Sequence, residues 1–504
     1  MGLNGEFYRE TTITTSYHGI CNVALSMKNT IPILHGPSGC FNYEIASLVI
    51  SEKQGHHAFT SNLLVTDLAY SSFDNLQKAI IDAYKNFKPE LIIVTTTNVT
   101  ELIASQQILE SVVEKTRKQI TIPVIVIYGN TLNNNIYQGI DNALTVLIES
   151  FAEKQLLLDN SVNIIGPVKG IYNWRADLLE TIRLLKNIGI KINSIVPAGA
   201  STRDFEKLPA AQLNILMYPY DFGLIAANYL EKEYGTPYIY TIPYGVENTI
   251  NFLEGLKEYF PNLSKNIDKF IERELRFWGG NLIDDLDISG YTLAGSPIAI
   301  FGMNTLVYGL TKTLEEDIWL SSKILGIKNK KSPLLNKFYR KMEKNGVKIL
   351  FEPSKEEVTQ VLRESPPYIV FGSFIEFLAA QEAKIHNFIP VSEPVRYFSS
   401  RYLDAPFRGI RGTSYLLHKV WEETIKYVYS YTETGETVFE ELEFEEKALK
   451  HLIEILNKVP TFVRSKVKFT IETLLKRKIG SERRKVCLAD VKWAVKEAMK
   501  LKPK

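Results

Sequence analysis

The chain has 504 residues, 45% hydrophobic and 23% charged, with a formal net charge of +2. That balance is ordinary for a globular protein and excludes the broad basic footprint of a nucleic-acid binder, while the length calls for about three or four domains rather than one core. Three cysteines, Cys21, Cys40 and Cys487, are too few for a disulfide framework and fit a reducing cytoplasm.

Residues 1–19 carry neither a basic n-region nor an apolar h-region, so no signal peptide is expected. No run approaches the ~18 apolar residues of a membrane span. The first apolar run, Ile31 to Leu34, meets the tight turn His35-Gly36-Pro37-Ser38-Gly39-Cys40. A lone cysteine on such a turn is either core filler or chemistry. Strand-like runs then continue with "LIIVTTTN" (91–98) and "IPVIVIYGN" (122–130). Apolar residues at helical spacing fill "FDNLQKAIIDAYKNF" and "ELIASQQILESVVEKTRKQ" between them.

The alternation repeats twice. A second set of strands reads "VNIIGP" (162–167), "INSIVPAG" (192–199), "LNILMYP" (213–219) and "PYIYTIPYG" (237–245), alternating with the helical "RADLLETIRLLKNIG" and "DFGLIAANYLEKEYG". A third reads "PIAIFG" (297–302), "VKILFEP" (347–353), "YIVFGS" (368–373) and "FIPVSEP" (388–394). Strand runs apolar throughout belong to sheets buried on both faces. The expected fold is therefore α/β, with three Rossmann-like parallel-sheet layers in residues 1–160, 161–290 and 291–430. Residues 431–504 are charged, Gly-poor and helical in pattern, and form a small appendage. Ligands of such sheets sit outside the carboxyl ends of the strands, where "HGPSGC" and "TTTNVTE" fall.

Much chemistry is missing. There is no G-x-x-x-x-G-K-[ST] loop, no G-x-G-x-x-G after a strand, and no H-E-x-x-H, C-x-x-C or G-x-S-x-G. ATP hydrolysis, dinucleotide binding and a self-contained four-ligand metal site are thus not expected. His56-His57 reads as a solvated loop, Cys487 as core of the tail, and Arg464, Lys466 and Lys468 as a solvated helix face.

The stretch from "VNIIGPVKGIYNWRADLLETIRLLKNIGIKINSIVPAGASTRDFEKLP" through "PYIYTIPYGVENTINFL" resembles the B-subunit family of light-independent protochlorophyllide reductase, which is itself nitrogenase-like. The ending "VPTFVRSKVKFTIETLLKRK" with "LADVKWAVKEAMK" resembles that family's tail domain, and "YIVFGSFIEFLAAQEAKIHNFIPVSEPV" through "RGIRGTSYLL" is similar to nitrogenase-like chains generally. The resemblance implies a layered fold like that of the nitrogenase molybdenum–iron protein. It implies a heterotetramer with a paralogous subunit, and a separate iron protein that hydrolyses ATP and delivers electrons. It also implies reduction of a tetrapyrrole ring double bond.

For the opening turn, the resemblance implies that Cys40 binds a [4Fe–4S] cluster shared with the partner subunit, with Gly36 and Gly39 giving room. Thiolate is the preferred iron–sulfur ligand, and Pro37 stiffens the turn. In the B-subunit family this position is an aspartate, so Cys40 is a departure, and Asn98 stands where nitrogenase-like chains often have a cysteine. Cys21 lies near another family ligand position and is a second candidate metal ligand. An aspartate just before the third layer serves the family as proton donor to the substrate. Ser289 falls there, with Asp287 two residues earlier and Asp284 and Asp285 behind it. Serine is a poor general acid, so Asp287 and Ser289 are both candidate catalytic residues. The tail would help cover the substrate pocket. Open alternatives are a nitrogenase-like reductase for another substrate (chlorophyllide, a nickel-tetrapyrrole precursor, a small sulfur compound), a cluster-carrying assembly scaffold, and a cluster-free structural subunit.

Overall fold

A computed structural model describes residues 15–40, 57–64, 73–280, 293–394, 405–433, 442–459, 461–479 and 484–500. The first helix, α1 (Ser16–Ser26), is buried along its whole length. It leads into the first of three sheets, all of whose strand pairs are parallel. That sheet holds β1 (Thr30–His35), β2 (Phe59–Thr60), β3 (Leu91–Thr96) and β4 (Val124–Ile127), in the order β2-β1-β3-β4. Every residue of β1 and β3 is buried, as expected of a layer covered on both faces. Pro32 lacks an N–H, and β2 joins β1 only beyond it, at Ile33 and Leu34.

The second sheet winds the same way: β5 (Leu158–Ile165), β6 (Lys191–Val196), β7 (Ala211–Leu216) and β8 (Tyr238–Ile239), ordered β6-β5-β7-β8. The third has β9 (Pro297–Gly302), β10 (Ser321–Ile327), β11 (Lys348–Phe351), β12 (Ile369–Gly372) and β13 (Phe388–Pro390), ordered β11-β10-β9-β12-β13. Its β10 was not among the expected strands.

The helices include α2 (Asp74–Phe87), α3 (Gln106–Arg117), α4 (Ile136–Phe151), α5 (Trp174–Asn187), α6 (Leu224–Tyr234), α7 (Gly245–Tyr259) and, after the last strand, α8 (Gly409–Glu433). Of these, α2, α3, α5 and α6 fall on the stretches expected from periodicity, and α4, α7 and α8 were not among them. The stretch 101–119 breaks near Ser105, which precedes α3. A capping box between Asn135 and Gln138 starts α4. Helices α1 and α4 touch backbone to backbone: a β-carbon on Gly19 would lie 2.1 Å from Ile136 O, and one on Gly139 1.9 Å from Ser16 O. The far end of α1 is tied to the second layer. Gly199 N donates to Ser26 O (2.7 Å), Lys28 N to Ala200 O (2.7 Å) and Lys169 N to Ser26 Oγ (2.8 Å).

Buried carboxylates make further joints. Asp141 of α4 accepts Gly223 N (2.7 Å), which caps α6, and Asp317 accepts Val246 N (2.9 Å) of α7 and Thr413 Oγ1 (3.3 Å) of α8. Asp177 of α5 accepts Phe407 N (2.7 Å) and Arg408 N (3.3 Å), just before α8. Asp221, past β7, accepts Asn304 N (2.9 Å) and Thr305 N (2.7 Å), past β9. Glu393 accepts Tyr137 OH of α4 (2.5 Å) and Tyr172 N (3.2 Å). The carboxyl ends of the second and third sheets thus meet the start of α4 in one polar junction.

The tail is helical, as expected: α9 (Glu446–Lys458), α10 (Thr461–Ile479) and α11 (Leu488–Lys500) close on their own core of Leu452, Leu456, Ile471, Leu475, Val486 and Val491. Phe469 meets Tyr368 edge-on at 5.4 Å, linking the tail to the third layer. Two expectations change here. Lys468 is 5% exposed rather than solvated. Cys487 is not core: it immediately precedes α11, and its N–H and thiol both donate to Asp490 Oδ2 (3.1 Å each). The reason is position, since it stands at the helix start, where open backbone donors need an acceptor. The side chains of Arg464 and Lys466 lie outside the described residues.

Candidate functional site

In the first sheet the chain runs from β1 outward to β2 on one side and to β3 and β4 on the other. The gap between the carboxyl ends of β1 and β3 is therefore the switch point where ligands of such sheets bind. The turn 36–40 leaves β1 there, and Thr97 and Asn98 leave β3 beside it.

Gly36 is buried, and a β-carbon on it would fall 2.4 Å from Thr97 Cγ2, so only glycine fits. Gly39 is exposed, and among the described residues nothing lies within 4 Å of a β-carbon built on it. The two glycines therefore differ: Gly36 seats the turn against Thr97, just past β3, while Gly39 meets no neighbour among the described residues. Cys40 is half-buried, and its N–H donates to Pro37 O (3.2 Å) to close the turn.

Behind the turn lies a buried polar shell. His35 Nδ1 is 2.8 Å from Ser61 Oγ, which also accepts Gly36 N–H (3.2 Å). Gly36 O accepts Thr60 Oγ1 and Leu63 N (both 3.0 Å). His35 O accepts the hydroxyls of Thr100 and, at 3.5 Å, Thr97. The serine and the threonines carried no recognisable signal in "FTSNLL" and "TTTNVTE" beyond the latter's place at a strand end.

Burial pushes the Cys40 thiol above its ordinary value, so it is protonated at neutral pH and a metal must displace that proton. A half-buried thiol at the end of this turn fits an iron–sulfur cluster in donor type. Among the described residues, no group of three or more His, Cys, Asp or Glu side chains is placed to hold a metal ion. Cys21 lies inside α1 at 2% exposure. Asn98 opens the short helix Asn98–Glu101. Asp284, Asp285, Asp287, Ser289 and His56 lie outside the described residues. His57 packs its ring on Phe87 at 4.2 Å.

The family model for nitrogenase component 1 type oxidoreductases matches residues 15–424. The chain belongs to that family. Membership makes it a nitrogenase-like oxidoreductase component, and implies iron–sulfur chemistry, a paralogous subunit and a separate iron protein. The B-subunit of light-independent protochlorophyllide reductase from Chaetosphaeridium globosum is 26% identical over 487 residues, covering 91% of this chain and 94% of the relative. Its counterparts from Angiopteris evecta and Trichormus variabilis are each 26% identical over 504 residues, with 95% and 97% coverage. A solved structure of nitrogenase Cp1 at pH 6.5 superposes with a TM-score of 0.73 at 19% identity, over 86% of this chain and 96% of that one. That likeness establishes the fold, three parallel layers of the nitrogenase type. No described helix is long and apolar enough to cross a membrane.

Proposed function

We propose that the chain is the B-type component of a nitrogenase-like, ATP-dependent reductase that reduces a ring double bond of a tetrapyrrole of the protochlorophyllide class. The observation that carries this is coverage. The match to the protochlorophyllide reductase relatives spans 95% of this chain, so it runs past residue 424, where the family model ends, into the helical tail. We assign the three layers to residues 1–160, 161–290 and 291–430 and the tail to residues from 431.

A [4Fe–4S] cluster bound between Cys40 and the partner subunit would supply one-electron transfer. Cys40 would hold the cluster as a thiolate, and Gly36 seats the turn on Thr97. Cys21 enters as a second candidate ligand. Asp287 and Ser289 are the candidates for proton donation to the substrate, Asp287 the better one because a serine hydroxyl is a poor general acid. Saturating one double bond takes two electrons and two protons, the electrons arriving from the iron protein. We place the protein in the cytoplasm on its cysteine usage. Two departures, Cys40 in place of aspartate and Ser289 at the donor position, favour a second reading: the same chemistry on a different substrate, such as chlorophyllide or a nickel-tetrapyrrole precursor.

The test is anaerobic. The chain is co-purified with a paralogous partner subunit, as wild type and as Cys40→Ala, Cys21→Ala and Asp287→Asn. Iron content, electron paramagnetic resonance of the reduced protein and turnover with the iron protein are measured for each. Cys40→Ala is expected to lose or alter the cluster signal, and Asp287→Asn to keep the signal while losing turnover. An unchanged signal in Cys40→Ala overturns the electron-relay role. Cluster transfer to an apo-protein without ATP-dependent turnover would identify a scaffold instead.

A further inference from the structure

The turn that carries Cys40 is held by side chains from both neighbouring strands. On one side, residues 60–63 wrap it. Thr60 Oγ1 and Leu63 N donate to Gly36 O (3.0 Å each), Ser61 N donates to Leu34 O (3.1 Å), and Ser61 Oγ accepts Gly36 N (3.2 Å). On the other side, Thr97 and Thr100 place their hydroxyls on His35 O. Ser61, His35, Thr97 and Thr100 are all buried.

Ser61 is the link between the two halves of this clamp. Its oxygen accepts the Gly36 N–H and shares a second hydrogen bond with Nδ1 of His35 at 2.8 Å. A buried peptide N–H left without an acceptor costs far more than an ordinary hydrogen bond contributes, so the hydroxyl dictates where Gly36 sits. Only three residues separate Gly36 from Cys40, one of them Pro37 with its fixed φ, and Cys40 N–H closes back on Pro37 O. A displacement at Gly36 therefore reaches the thiol with little to absorb it.

We propose that Ser61, acting through Gly36 and His35, is a positioning residue that sets the place and exposure of the Cys40 thiol toward its cluster. The inference rests on Cys40 being a ligand, and the experiment separates the two. Full-length chain is prepared as wild type, Ser61→Ala, Ser61→Thr, Thr100→Val and Cys40→Ala. Alkylation of each cysteine by iodoacetamide is timed by mass spectrometry, with Cys21 and Cys487 as internal references. The same variants are co-purified with the paralogous subunit for iron content and paramagnetic resonance of the reduced protein.

Ser61→Ala is expected to raise the Cys40 alkylation rate about fivefold, the change that loss of one ordinary hydrogen bond allows. Cys21 and Cys487 should be unaffected, and the cluster g-values should shift. Ser61→Thr, which keeps the hydroxyl, should restore both. If Ser61→Ala matches wild type in alkylation and resonance while Cys40→Ala loses the signal, the positioning role is wrong and the ligand role stands. If Cys40→Ala keeps the signal, both fall. Should Ser61→Ala unfold, seen as equal rises at all three cysteines, Thr100→Val tests the clamp from its other side with the same expectation and the same refutation.

Discussion

Arg408 is the largest side chain fully hidden among the described residues. Its guanidinium lies over the rings of Tyr218 (5.6 Å) and Tyr244 (5.4 Å) and donates to Met217 O. The backbone N–H groups of Phe407 and Arg408 bind Asp177, whose carboxyl burial pushes up to about 6 while the Arg408 charge pulls it down. Arg408→Ala leaves the carboxylate buried without its counter-charge. It is expected to cost about 3–5 kcal/mol, read as a loss of denaturation midpoint, and Arg408→Lys should not rescue it, because a lysine lacks the planar fork. Gly36→Ala is expected to cost about 1–3 kcal/mol by overpacking against Thr97 and to lower iron content, checked by thermal denaturation and iron assay. The position of Cys40 just past β1 was legible in the sequence, because the cysteine follows a Gly-Pro-Ser-Gly run that ends an apolar stretch. Arg408 was not, because charge ordinarily signals surface. Nor was Ser61, because nothing local marks a serine whose partners are 25 and 26 residues away.

At the scale of elements, legibility followed burial on both faces. β3 and β9 read clearly as largely apolar runs. β10 did not, because "SSKILGI" opens on two serines and carries an exposed Lys323 and Gly326. That glycine is required by packing, since a β-carbon there would meet Phe301 Cδ1 at 2.1 Å. β8 is shorter than its apolar run, with Pro237 before it and Pro243 beyond it unable to donate to a ladder. The tail offers a test at this scale. Asp490 binds the Cys487 N–H and thiol, Arg484 Nη1 (2.7 Å) and Lys478 Nζ (3.1 Å). These hold its carboxyl well below the usual range, Arg484 most of all. A depressed folded-state pKa stabilises above the unfolded value, so this contribution is present at neutral pH and lost on acidification below about pH 4. Asp490→Asn should weaken α11 at pH 7 by about 1 kcal/mol and remove that acid sensitivity, measured by hydrogen exchange over 484–500.

Across the whole molecule, the layers are joined through buried carboxylates facing backbone N–H groups, and this makes stability depend on pH. Asp141, Asp177 and Asp317 are each raised from 3.8 to about 6, chiefly by burial. Their protons are held more tightly folded than unfolded, so the stability they contribute is full below the unfolded value and falls as pH rises from about 4 to 6. A denaturation series across that window should show the decline, and Asp141→Asn, which keeps an acceptor for Gly223 N, should flatten part of it. The three-layer architecture was legible from the recurring strand–helix alternation. The joints were not, because each pairs a carboxylate with a backbone group 71 to 230 residues away.

Helix α1 gives these layers a mechanical property. Its first turns are locked to α4 at Gly19 and Gly139 with no room for side chains, and its last residue is bolted to Gly199 and Lys169 of the second layer. Four residues later the chain becomes β1, whose far end leads into the Cys40 turn. Force applied to that turn by a docking protein would travel down the strand into a helix that cannot slide. The response would be a tilt of the first layer as a block, carrying the thiol with it at constant geometry, rather than a local dent in the turn.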